Sequence, residues 1–62
     1  MDPEDRLLSM KEAVEYLDHV VSRATLYREQ NDRRLAYVRI RSRRYVWRSE
    51  LIRYVHDRTE AA

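Results

Sequence analysis

None of the 62 residues is glycine. Glycine enters positive φ without steric cost, so every left-handed helix cap and every tight hairpin turn in this chain must be made by a residue that carries a Cβ. Cysteine is absent too, which excludes disulfides and thiolate metal sites. A chain this short is one small domain near the lower limit for unaided folding, and a 44% hydrophobic content supplies only a modest core. His19 and His56 are not a close-spaced pair and do not fill a zinc site by themselves. No apolar run approaches a membrane span, and no signal-peptide pattern precedes residue 20. The expectation is a soluble cytoplasmic protein without cofactor, metal, membrane or small-molecule partner.

Local signals set the order of elements. Ser9 followed by Glu12 is a capping box, and Met10, Ala13, Val14 and Leu17 recur at helical spacing, which predicts a first helix over 10–17. Ser22 offers a second cap for "RATLYREQND", with Leu26, Ala24 and Tyr27 toward the core and Arg23, Thr25, Arg28 and Glu29 outward. Asn31 or Asp32 is expected to supply the left-handed cap. Then "YVRIRSRRYVWR" alternates with period two. A two-residue turn at Ser42-Arg43 pairs Arg41 with Arg44, Ile40 with Tyr45 and Val38 with Trp47, and gathers Val38, Ile40, Tyr45 and Trp47 on one packed face. A longer loop over 41–44 is the alternative. Ser49 is expected to cap a third helix with Leu51, Ile52 and Val55 as its inward stripe and Tyr54 at the edge. Residues 1–6 and 58–62 are expected to be flexible ends around a domain spanning 7–57. The predicted fold class is mainly α with a small β-hairpin: helix, turn, helix, hairpin wing, C-terminal helix, the outline of a winged helix-turn-helix.

Charge gives this outline a purpose. The net charge of +2 divides into −4 over residues 1–20 (six acids, two bases) and +6 over residues 21–62 (eleven arginines, five acids). Twelve of the thirteen basic residues are arginine, whose planar fork of donors suits phosphate and guanine. No acid occurs between Asp32 and Glu50, so arginines facing one another across the hairpin cost stability that phosphates would relieve. The second helix is expected in the major groove of double-stranded DNA. There Ser22, Arg23, Thr25 and Arg28 would make contact, while Arg39, Arg41, Ser42, Arg43 and Arg44 of the wing would hold the backbone or minor groove. No Gly-rich phosphate loop and no nucleophile–base pair occurs, so no catalytic residue is assigned and the chain is not expected to be an enzyme.

The stretches "LLSMKEAVEYL" (7–17), "VSRATLYR" (21–28), "RRLAYVRI" (33–40) and "RRYVWRSELIRYV" (43–55) resemble the small excisionase-type winged helices related to the MerR DNA-binding domain. Arg33 stands where that family often has glycine, and Ala36 where it often has proline. The resemblance implies a phage recombination directionality factor that acts architecturally. Such a protein binds attachment-site DNA, commonly in several copies, bends it, and steers a tyrosine-type integrase toward excision. It also implies Arg23, Thr25 and Arg28 in the major groove and Arg41, Ser42, Arg43 and Arg44 at the wing tip. The acidic first helix and basic wing suit head-to-tail contacts between copies. A small phage or plasmid transcription regulator of the same fold is a second reading. A module that docks an acidic protein partner is a third.

Overall fold

The computed structural model describes residues 5–60. Its elements are β1 (Leu7–Ser9), α1 (Met10–Tyr16), α2 (Arg23–Asn31), β2 (Val38–Ile40), β3 (Arg43–Trp47) and α3 (Arg48–Asp57). Three helices therefore accompany one antiparallel sheet in the order β1-β3-β2. The sheet has one strand more than the expected hairpin. The expectation of flexible ends over 1–6 and 58–62 falls in part on residues 1–4, 61 and 62, which lie outside the described residues. No described helix is long and apolar enough to cross a membrane.

Two helices start as their local signals predict. Ser9 Oγ accepts the Glu12 N–H at 3.1 Å while Glu12 Oε1 accepts the Ser9 N–H at 3.0 Å, which completes the capping box of α1. Ser22 Oγ accepts the Thr25 N–H at 3.2 Å and caps α2. The third helix departs from expectation. Trp47 occupies its cap position without a side-chain bond, and Ser49 donates instead of accepting. Asp5 Oδ1 takes the Ser49 N–H at 3.1 Å, and Asp5 Oδ2 takes the Ser49 hydroxyl. The cause is β1. Its pairing with β3 puts Leu7 opposite Trp47, so the residues just before β1 reach the start of α3, where Arg6 O also accepts the Arg48 N–H at 2.9 Å.

The missing glycines are replaced by strained residues. Asp18, His19, Arg33, Arg41 and Ser42 all have φ between 51° and 67°. His19 N–H to Val14 O (3.0 Å) with Asp18 N–H to Glu15 O (3.0 Å) closes α1 in a Schellman pattern. Arg34 N–H to Glu29 O (2.9 Å) with Arg33 N–H to Gln30 O (3.1 Å) closes α2 the same way. The left-handed residue after α2 is thus Arg33, not Asn31 or Asp32. Asn31 is still helical, and Asp32 keeps a φ of −84°.

The hairpin corrects the sequence reading twice. Its two turn residues are Arg41 and Ser42, both at positive φ as a type I′ turn requires. The register is therefore Val38 with Tyr45, Arg39 with Arg44 and Ile40 with Arg43, two residues away from the expected pairing. A shift of two preserves the faces, but the expected inward face is the outer one. Val46 is fully buried beside Leu8 of β1, whereas Val38, Tyr45 and Trp47 are half-buried and Ile40 is 45% exposed. The core comprises Leu8, Met10, Ala13, Leu26, Leu35, Val46, Leu51 and Tyr54, with Val14, Leu17 and Val21 packed on it. Within α3, Leu51 and Tyr54 face inward, while Ile52 and Val55 are about half exposed. In α2, Glu29 and Gln30 are buried beside Leu26, and Ala24 and Tyr27 face outward. Glu29 tolerates burial because Arg58 meets it at 2.9 Å and Arg34 at 3.9 Å.

Candidate nucleic-acid interface

The buried positions of α2 (Leu26, Glu29 and Gln30) define its opposite face by helical periodicity. Ala24, Tyr27, Arg28 and Asn31 lie there, all exposed. Arg28 is thus on the outward side, whereas Arg23, also exposed, is about 140° from it around the axis at 100° per residue, on the flank next to Gln30. Ser22 and Thr25 are committed locally, since their hydroxyl oxygens are 2.9 Å apart and Ser22 also receives the Thr25 N–H. Both remain at the leading end of α2, but their hydroxyls already have a partner.

The hairpin carries the other predicted residues. Arg39, Arg41, Ser42 and Arg43 are exposed around the turn. Arg44 is not comparable with them. Its guanidinium lies between the rings of Tyr27 and Tyr37, 5.1 and 4.6 Å from their centroids. One of its nitrogens also donates to Gln30 Oε1 at 3.1 Å and Asn31 Oδ1 at 3.3 Å. The Gln30 amide in turn donates to Met10 Sδ at 3.3 Å. Arg44 therefore ties β3 to the last turn of α2, and through Gln30 to α1. It faces Arg39 across the ladder, and the two rings and two amide oxygens offset that like-charge pair.

An open groove of about 540 Å³ lies between α2 and the hairpin. Arg23 and Tyr27 line it from α2; Arg39, Ser42, Arg43, Arg44 and Tyr45 from the hairpin; and Ser9, Met10 and Lys11 from the start of α1. No acid lines it. It brings together Arg23 and four of the five hairpin residues named from sequence, while Arg28 and Arg41 lie outside it. Lys11, Tyr27 and Tyr45 were not assigned from sequence. Lys11 read as part of a solvated helix face, because only the β1–β3 pairing, with Ser9 opposite Tyr45, brings the start of α1 beside the hairpin.

Charge is partitioned across the molecule. Arg6 pairs with Glu12 (3.5 Å), Arg53 with Glu50 (2.8 Å) and Asp57 (3.7 Å), and Arg34 and Arg58 with Glu29. Lys11, Arg23, Arg28, Arg33, Arg39, Arg41 and Arg43 take part in no ion pair among the described residues. These cations are carried by the start of α1, by α2 with the turn after it, and by the hairpin. The paired acids are Glu12, Glu29, Glu50 and Asp57, none of them on the hairpin. Among the described residues no group of three or more His, Asp or Glu side chains is placed to hold a metal ion. No family model matches the chain, and no curated protein or solved structure does either.

Proposed function

We propose that this chain binds double-stranded DNA as a winged helix-turn-helix, with α2 in the major groove and the β2–β3 hairpin as the wing along the adjacent backbone. One observation carries the reading: the cations without an acid partner gather on α2, the hairpin and the groove between them. Leaving so many guanidinium groups unpaired on one side of a small domain is costly unless a polyanion meets them. Arg23 and Arg28 would read base edges, Ser22 and Thr25 would sit at the backbone end of α2, and Arg39, Arg41, Ser42 and Arg43 would contact phosphates. The sequence resemblance extends the reading to a phage excisionase: a non-enzymatic factor, working on DNA in the bacterial cytoplasm, that bends attachment-site DNA and directs a tyrosine-type integrase toward excision. Copies would line up head to tail, with Glu15 and Asp18 of one facing the hairpin of the next. If Glu15→Lys left multi-copy binding as cooperative as before, that arrangement would be dropped.

The test is duplex binding over a salt series, followed by footprinting on attachment-site DNA with and without the integrase. Affinity should fall steeply as salt rises. Arg28→Ala should narrow the gap between specific and non-specific duplexes, and Arg43→Ala should weaken both alike. Binding insensitive to salt would sink the DNA reading. Footprints that never stimulate excision would leave DNA binding standing and point to a regulator instead.

A further inference from the structure

We infer that the groove between α2 and the hairpin seats one phosphate group of the duplex backbone, and that Lys11 of α1 is its main ligand. The inference rests on the DNA reading above and adds a residue and a chemistry to it.

In B-form DNA the sugar-phosphate ridge separates the major groove from the minor groove. A protein with a helix in one and a hairpin along the other must leave a trough for that ridge. The groove has this form: one wall is Arg23 and Tyr27, the other is Arg39 and Arg43, and the start of α1 closes it. Its charged and hydroxyl side chains are cations, serines and tyrosines, with no carboxylate among the described residues to repel an anion. Lys11 is the one lysine in the chain; it is exposed and lines the groove. Glu15 stands four residues on, where a helical ion pair would form, yet Lys11 pairs with neither Glu15 nor Glu12. Glu12 is held by the Ser9 N–H and Arg6, which leaves the ammonium to the groove. Lysine suits this place because a compact charge with three rotatable donors binds a phosphate without demanding a planar approach. The Ser9–Glu12 capping box and the Ser9–Tyr45 pairing fix the turn of helix that carries it.

The experiment compares wild type, Lys11→Met and Lys11→Arg in duplex binding across a salt series, with circular dichroism to verify folding. In parallel, inorganic phosphate is titrated onto the free protein at constant ionic strength while the amide signals of Lys11 and Ser42 are followed. Lys11→Met should lose affinity equally for specific and non-specific duplexes. Its slope of log affinity against log salt should be shallower by about one, and Lys11→Arg should restore most of it. Phosphate should shift the groove signals of wild type and not those of Lys11→Met. If wild type binds duplex and Lys11→Met leaves the slope unchanged, the assignment of Lys11 is wrong and the DNA reading survives. If duplex does not bind but inorganic phosphate still moves the groove signals, the backbone phosphate is overturned in favour of a free one. If neither ligand acts, both readings fall.

Discussion

Among the described residues of a chain without glycine, five with side chains hold positive φ, and each pays a steric penalty of about 1 kcal/mol. Arg33 is the simplest to relieve. It is exposed, its side chain makes no ion pair, and its role in closing α2 belongs to the backbone. Arg33→Gly should therefore raise stability by about 1 kcal/mol, less the extra freedom that glycine gives the unfolded chain. The check is a higher denaturation midpoint with an unchanged denaturant slope; a lower midpoint would mean the side chain carries a contact of its own. Asp5 shows the opposite situation, a residue read as part of a loose end that does structural work. The Ser49 hydroxyl, then the Ser49 and Arg6 N–H groups, hold its carboxyl below the usual carboxylate range against a smaller opposing effect of burial. Glu12 is depressed in the same direction, chiefly by the Ser9 N–H. Both groups keep their charge better in the folded state, so on acidification the unfolded chain takes up protons first. The stability they add is present above the ordinary carboxylate pKa and is lost as pH falls through the folded values. Asp5→Ala should lower stability at neutral pH and flatten its decline in acid, as followed by thermal melts from pH 7 to pH 2. An unchanged acid limb would remove Asp5 from that role.

At the scale of elements, what was legible in the sequence is what is local. The caps at Ser9 and Ser22 and the extent of α1 and α2 follow from signals three or four residues apart, and the existence of the hairpin from alternation with period two. What was misread depends on a partner distant in sequence. β1 is three residues long and has no pattern of its own, yet it pairs along the edge of β3 and sets buried Leu8 beside Val46, the residue of β3 that is core while Tyr45 and Trp47 are half-buried. Period-two alternation looks the same after a shift of two, so it could not tell Arg41-Ser42 from Ser42-Arg43 as the turn. Charge alone puts Arg44 among the expected DNA contacts, and the structure adds a second engagement that charge does not show: its guanidinium lies between Tyr27 and Tyr37 and clamps β3 to α2. Its two hydrogen bonds and two ring contacts make Arg44→Ala cost about 2 kcal/mol. Arg44→Lys should recover only part of that, because an ammonium does not lie flat between rings. The DNA readout separates clamp from contact. Arg44→Ala should weaken duplex binding by letting the hairpin shift against α2, with the salt slope kept. A slope reduced as much as in Arg43→Ala would return Arg44 to the phosphate contacts.

Over the whole molecule, the net charge of +2 is too small to draw the chain to a polyanion by itself, so distribution has to do it. Glu12 is matched to Arg6, Glu50 and Asp57 to Arg53, and Glu29 takes Arg34 and Arg58. The hairpin has no acid at all. Arg53 and Arg39 are then a controlled pair: both are exposed arginines, and replacing either by glutamine removes one positive charge. Arg53 already has two carboxylates, and Glu50, its closer partner, holds its guanidinium more firmly protonated than usual. Arg53→Gln should lose only screened surface ion pairs and leave duplex affinity and its salt slope unchanged. Arg39→Gln should lower affinity and make the slope shallower by about 0.9, one phosphate's share of released counterions. Binding measured for both variants at matched salt decides between the two accounts. Equal losses would mean that DNA responds to total charge, and that the division of paired and unpaired arginines has no bearing on which side of the molecule meets it.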